Sequence, residues 1–166
     1  DEKHDALVQL YNDYFGGGMN AIVFQEMREA RALAYSSYAY LSEGRKMGDP
    51  YLYYAFIATQ NDKMRTAIEA FDEIINQMPE SEAAFELAKR GILGTIASTR
   101  PTKGDILWLY LAALDKGTFS NRDQAIYEQV QHLTLADIVA FQQEWIKERP
   151  YVYCVLGDKH DIDLNY

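Results

Sequence analysis

The sequence predicts an α+β fold with two layers, in which a mainly antiparallel sheet carries helices packed on one of its faces. Two Tyr-rich segments, LAYSSYAYL and YLYYAFIAT, have the composition of strands, and a short polar turn, SEGRKMGDP, separates them. Most of the remaining chain shows the three- and four-residue apolar spacing of amphipathic helices. The length of 166 residues fits one domain, so residues 1–166 are treated as a single domain.

The Tyr-rich segments are the predicted hairpin of this sheet. They cover residues 33–41 and 51–59, and the turn between them is too short for the crossover that parallel strands need. We therefore expect the two strands to pair antiparallel. A helical adaptor that binds other helices in a groove is an alternative fold, and it predicts no such hairpin.

The helices are predicted from apolar spacing and from their end signals. Leu7, Leu10, Tyr11 and Tyr14 form the inner face of the first helix, and the glycines at 16–18 end it. A second helix is expected to end near residue 31. Further helices are expected over about 62–78, 81–98, 106–117, 122–131 and 135–149, the last of them starting at a capping box of Thr and Asp at 134 and 137.

A third strand is predicted near the C-terminal end of the sequence. The segment YVYCVLGD, residues 151–158, is apolar and rich in strand-forming side chains, so we expect it to be buried in the sheet. Cys154 lies in this segment and is interpreted as a core residue. It is the single cysteine of the chain, which excludes an intrachain disulfide and fits either a periplasmic or a cytoplasmic setting.

Charge and hydropathy exclude two classes of partner. The formal net charge is −9, and such a surface repels the phosphates of nucleic acid. The longest apolar run, Ile106 to Leu114, is too short to cross a bilayer, so no membrane span is expected.

No catalytic or metal-binding motif is recognisable. The three histidines, His4, His132 and His160, lack the spacing that puts two ligands on one helix face, and neither HEXXH nor HXXEH is present. His160 lies in DKHDID, which is interpreted as a solvated loop. We therefore expect no catalytic residue, no metal site and no bound cofactor in this chain.

The segment from Gly16 to Ser36, GGGMNAIVFQEMREARALAYS, resembles the signature of the insulinase/pitrilysin family of zinc metallopeptidases, the inverzincins. In that signature two glycines precede a helix ending in Phe-x-x-Leu-Arg, and Leu-x-Tyr begins the next strand. Met27 replaces the usual leucine, and the small-Arg-Leu run before the phenylalanine is missing. The matching residues are Gly16, Gly17, Phe24, Arg28, Leu33 and Tyr35.

The resemblance implies a particular place in a larger enzyme. Members of this family are built from tandem domains, of which the first carries HXXEH and zinc and a later one faces it across a substrate chamber. This chain lacks HXXEH and resembles the later, inactive domain of metallopeptidase-like fold. It would be a fragment of a larger multi-domain protein, inactive alone, with its sheet incomplete at the N-terminus. Zinc is expected in the partner catalytic domain, and a peptide is the expected substrate.

The resemblance also implies two substrate-binding residues, Arg28 and Tyr35. In full-length family enzymes an Arg and a Tyr of the later domain, seven residues apart, reach the zinc site and hold substrate. The alternative is that Arg28 only interacts with a helix end and Tyr35 only packs in the sheet; Arg31 is the rival for the arginine role. A second functional alternative is a catalytically dead binding or assembly subunit of the same family.

Overall fold

The structure is a computed structural model, and it describes residues 2–118, 121–158 and 160–162. Within these residues the helices are α1 (Glu2–Tyr11), α2 (Ile22–Phe24), α3 (Met64–Asn76), α4 (Glu82–Ser98), α5 (Lys103–Asp115), α6 (Arg122–His132) and α7 (Leu135–Trp145). Two of them continue as π-helical turns, α1 into Asn12–Gly16 and α2 into Gln25–Ala30. The strands are β1 (Ser36–Ser42) and β2 (Leu52–Ala58).

The two strands form the predicted antiparallel hairpin. Ser36 pairs with Ala58 at one end, and Ser42 pairs with Leu52 at the other. Alternate β1 residues are buried, so one face of the sheet packs on the helices and the other faces outward. The α+β class with helices on one face is confirmed, and the hairpin removes the helical-adaptor alternative.

The outer face of the hairpin is aromatic. Tyr38 pairs with Phe56 across the strands, and Tyr40 pairs with Tyr54. The rings of Tyr38 and Phe56 stack with their centroids 5.2 Å apart. All four side chains remain more than 40% exposed. The segment YLYYAFIAT is thus apolar on both faces, and only Tyr53 and Ile57 of its inner face are partly covered.

The first glycine of the signature allows α1 to pass close to the sheet. A Cβ atom at Gly16 would overlap the backbone carbonyl of Ala39 in β1. Asn12, in the same π-helical turn, donates from Nδ2 to the carbonyl oxygen of Leu41 and accepts from the Leu41 amide, at 3.0 and 2.8 Å. The end of α1 therefore packs directly on the edge of β1 that β2 leaves unpaired.

The core lies between this inner face and the helices. Its largest fully buried side chains come from α1 and its π-helical turn and from α3, α4, α6 and α7; they include Leu10, Tyr11, Tyr14, Phe15, Ile74, Phe85, Ile92, Ile126 and Ile138. At the start of α7, Thr134 Oγ1 accepts from the amide of Asp137, and the Asp137 carboxylate accepts from the amide of Thr134. The predicted capping box is confirmed.

Helix α5 is apolar and uncovered. None of its residues is buried, and Trp108 is 70% exposed. A helix that is apolar on all sides is normally buried in a protein core or a membrane. No helix among the described residues combines the length and the apolar character needed to span a bilayer.

The predicted third strand is wrong. Residues 151–156 have no strand pairing, and Val152 and Leu156 are almost fully exposed. Cys154 is exposed and is not a core residue. A strand is stabilised by pairing with a neighbouring backbone, and apolar composition alone does not provide that neighbour.

Candidate functional site

Arg28 lies on the π-helical turn that ends α2. The amide of Arg31 bonds to the carbonyl oxygen of Glu26 at 3.1 Å, the five-residue spacing of a π-helix. The Arg28 side chain is 51% exposed, and its guanidinium lies over the ring of Phe24, 5.0 Å from the centroid. Stacking on a ring covers the guanidinium plane and leaves its N–H edges available for hydrogen bonds.

Tyr35 follows after a sharp turn at Ala32. Ala32 has a φ of 50°, in the left-handed region that usually takes glycine at a helix end. The amide of Leu33 bonds back to the carbonyl oxygen of Met27 at 2.8 Å, which closes the turn. The amide of Tyr35 then bonds to the carbonyl oxygen of Ala58 at 2.7 Å, so the hairpin begins at Tyr35, whose side chain is 66% exposed.

The turn brings the two predicted site residues to one cleft of about 200 Å³. Arg28 and Tyr35 both line this cleft, which we call the Arg28–Tyr35 cleft. Its floor consists of residues 32–34, and its other side is Thr59, Gln60 and Lys63. Both predicted side chains are therefore exposed, neighbouring, and directed away from the interior.

Hydrogen bonds orient the polar groups of the cleft. The side-chain amide of Gln60 donates to the hydroxyl oxygen of Tyr35 at 2.9 Å. Thr59 Oγ1 donates to the carbonyl oxygen of Leu33 at 2.6 Å, which fixes the floor against the end of β2. The Tyr35 hydroxyl thus accepts one bond within the protein and keeps its own hydrogen for a ligand.

Comparison with known proteins assigns the chain to a family. The model of the peptidase M16 inactive domain matches residues 1–92. The match includes the signature segment, both strands and α3, and it spans more than half of the chain. The chain belongs to the peptidase M16 inactive-domain family.

Two solved structures have a similar fold. The crystal structure of a peptidase M16 inactive domain from Pseudomonas fluorescens aligns with a TM-score of 0.61 and 21% identity, over 84% of this chain and 34% of that one. A protease from Helicobacter pylori aligns with a TM-score of 0.65 and 16% identity, over 86% and 34%. This chain thus spans about a third of the length of the solved chains it matches. No curated protein matches it.

In this M16 inactive domain, the rival arginine, Arg31, is already engaged. Its Nη1 donates to Glu73 on α3 at 2.8 Å, and its Nε lies 3.5 Å from Glu26. The hydrogen bond from Arg31 lowers the pKa of the Glu73 carboxyl below its usual value. Arg31 therefore ties the π-helical turn to α3, and Arg28 is the arginine that faces the cleft.

Two cleft residues were not predicted from the sequence. Gln60 and Lys63 come directly after β2, distant in the chain from Arg28 and Tyr35. The antiparallel pairing of the predicted hairpin could have indicated them, because it places the residues after Ala58 beside those before Ser36.

Zinc, the metal that the family resemblance implies for a partner domain, has no cluster of suitable ligands among the described residues of this chain. Among the described residues, no group of three His, Cys, Asp or Glu side chains is close enough to hold a metal ion. Lys159 and Asp163 of the DKHDID segment lie outside the described residues. Within the cleft the side chains of Arg28, Tyr35 and Lys63 offer hydrogen-bond donors, and two of them carry a positive charge.

Proposed function

We propose that this chain is the substrate-binding, non-catalytic domain of a zinc metalloendopeptidase. In this proposal the Arg28–Tyr35 cleft holds a peptide while a partner domain carrying HXXEH cleaves it. The observation that carries the proposal is the common exposure of Arg28 and Tyr35 in one cleft. Membership of the inactive-domain family supports a catalytic partner elsewhere.

The two side chains have complementary roles. The guanidinium of Arg28 offers several N–H donors in a rigid plane, and the hydroxyl of Tyr35 offers one more. Donors of this kind suit a peptide carbonyl and the oxyanion that forms when water attacks it. The zinc of the partner domain would supply the activated water, and this chain would bind and orient the peptide.

The exposed outer edge of the hairpin supports an extended substrate. Among the described residues β2 pairs only with β1, so the backbone groups on its far side are free. An extended peptide can add to such an edge as a further strand. The cleft lies at the end of this edge, where Ala58 leads into Thr59 and Gln60.

The test is peptide hydrolysis by the assembly of this chain with its HXXEH-bearing partner. Tyr35→Phe removes one donor and keeps the ring, and loss of such a donor typically slows catalysis about 10²- to 10³-fold. Tyr127→Phe, on α6 and outside the cleft, is the matched control and should leave the rate unchanged. An unchanged rate with Tyr35→Phe, in an assembly that hydrolyses peptide, would remove Tyr35 from the proposed site.

A second candidate is a catalytically dead assembly subunit of the same family. The uncovered apolar surface of α5 favours it, because an apolar surface of this kind marks an interaction site. The two candidates differ in one observable: an assembly whose partner domain lacks HXXEH and hydrolyses no peptide supports the second.

A further inference from the structure

We infer that the Arg28–Tyr35 cleft is a carboxylate-binding site, in which Lys63 joins Arg28 and Tyr35 to hold the carboxylate of a peptide. The inference rests on the proposed function, since it names the chemical group that the same cleft prefers. It adds Lys63 as a residue that determines specificity.

The first support is the sign of the charges in the cleft. The chain has a formal net charge of −9, yet the charged residues lining this cleft, Arg28 and Lys63, are both cationic. The carboxylate of Glu29 lies 3.8 Å from Arg28 Nε, and both side chains are about half exposed. Exposed ion pairs of this kind have a small interaction energy, so Glu29 does not neutralise the positive charge of the cleft.

The second support is the position of Lys63. It ends a 3₁₀ turn, Asn61–Lys63, that begins just after β2, and its amide bonds to the carbonyl oxygen of Gln60 at 3.0 Å. Its side chain is half-buried and has no ion-pair partner among the described residues. A half-buried ammonium without a partner is favourable only where an anion or water completes its hydrogen bonds.

The third support is the donor set. The ammonium of Lys63, the guanidinium of Arg28 and the hydroxyl of Tyr35 all donate hydrogen bonds. Their two positive charges are more than the partial negative charge of a neutral carbonyl oxygen can balance. A carboxylate matches them because it accepts several hydrogen bonds and carries a full negative charge. The carbonyl oxygen of a bound peptide and one oxygen of a carboxylate can occupy the same place.

The carboxylate could come from the peptide C-terminus or from a Glu or Asp side chain. Both sources offer the same two oxygens. The floor, residues 32–34, is apolar and lies beside the donors, which suits the side chain of a C-terminal residue. The experiment separates the two sources.

The experiment is an NMR titration of the chain with three acetylated six-residue peptides of alanine and glycine that end in leucine. The first has a free C-terminal carboxylate, the second a C-terminal amide, and the third the amide together with a central glutamate. We expect the free acid to bind about five- to tenfold more tightly than the amide, which corresponds to one or two charge-assisted hydrogen bonds in a partly exposed site. Raised salt should reduce this preference.

Lys63→Gln should bring the free acid and the amide to nearly equal affinity. Lys103→Gln, which removes an exposed lysine of α5, is the control and should keep the preference. Thermal melts confirm that both variants fold. If only the glutamate-containing peptide gains affinity through Lys63, the carboxylate is a side chain; if both do, either source binds.

Equal affinity of all three peptides, weakened alike by Arg28→Gln, would overturn the carboxylate inference and leave the peptide-binding function standing. Absence of binding by all three peptides would also overturn the inference. The proposed function is decided separately, by the hydrolysis assay with Tyr35→Phe.

Discussion

The side-chain amide of Gln60 donates a hydrogen bond to the hydroxyl oxygen of Tyr35 at 2.9 Å. This bond joins the two ends of the hairpin, since Tyr35 precedes β1 and Gln60 follows β2. It holds the phenol oxygen and leaves the phenol hydrogen for a ligand. Gln60 therefore orients the Tyr35 hydroxyl without itself being one of the groups proposed to bind the substrate.

The first prediction concerns this positioning bond. Gln60→Leu removes the donor and keeps a side chain of similar size, so the Tyr35 hydroxyl loses its orientation. We expect peptide hydrolysis by the assembly to fall about two- to tenfold, the worth of one ordinary hydrogen bond. In the Tyr35→Phe background the same change should have no further effect on kcat/KM, and an equal effect in both backgrounds would contradict the positioning role.

The second prediction separates the two arginines. Arg31→Gln breaks the bond to Glu73 that ties the π-helical turn to α3, so the melting temperature should fall while peptide affinity changes little. Arg28→Gln removes an exposed side chain, so affinity should fall while the melting temperature changes little. Melting curves and peptide titrations of the two variants check this, and the opposite assignment of effects would favour Arg31 as the ligand-binding residue.

The third prediction concerns the close approach of Gly16 to β1. Gly16→Ala places a Cβ atom onto the carbonyl of Ala39, and because backbone cannot move aside cheaply, the variant should lose about 3 kcal/mol of unfolding free energy. Gly91→Ala is the matched control, since nothing lies near a Cβ there in α4, and it should stabilise by up to about 1 kcal/mol. Urea unfolding measures both, and a well-tolerated Gly16→Ala would mean that α1 does not pack on β1 as described.

The fourth prediction concerns His4 and pH. His4 lies among Trp145, Tyr51 and Phe141, with ring centroids 4.4, 5.3 and 5.7 Å away, and its Nε2 is buried without a hydrogen-bond partner among the described residues. Burial lowers the pKa of this imidazole below its usual 6.5, and the nearby carboxylates of Asp5, Glu43 and Glu144 act in the opposite direction.

The sign of the pH effect follows from this lowered pKa. Between the folded and the unfolded pKa the unfolded chain binds the proton and the folded chain does not. The contribution of neutral His4 is therefore complete above pH 6.5 and is lost as the pH falls through the lower, folded pKa. Urea unfolding at several pH values should show a smaller loss on acidification for His4→Phe than for His132→Gln, the control that keeps His4. Equal losses would mean that His4 takes up its proton at the same pH in the folded and the unfolded chain, so that its pKa is not lowered by folding.

The sequence predicted the elements whose signals are local. Apolar spacing and capping residues are contained within each helix, as the Thr134–Asp137 capping box shows. The hairpin was predictable because its turn is short and both strands are rich in aromatic residues. The signature segment identified Arg28 and Tyr35 through a resemblance, and neither spacing nor composition alone would have singled them out.

The parts that failed depend on distant neighbours. Residues 151–156 have strand-forming side chains, but no described backbone pairs with Val152, Val155 or Leu156. The π-helical turn at Arg28 was missed because one extra residue in a turn scarcely changes an apolar pattern. Lys63 was missed because it lines the same cleft as Tyr35 only through the antiparallel pairing of β1 and β2, which no residue near Lys63 indicates.

The most direct test of the account is photo-crosslinking from the cleft to a peptide substrate. Gln60→p-benzoylphenylalanine places the photoreactive group beside Tyr35, and Gln131→p-benzoylphenylalanine places it on an exposed position of α6 as the control. With peptide at saturating concentration, we expect labelling from position 60 that excess unlabelled peptide and Arg28→Gln both reduce, with little labelling from position 131. Labelling from position 60 that is no stronger than from position 131, or that Arg28→Gln leaves unchanged, would contradict the claim that this cleft holds substrate.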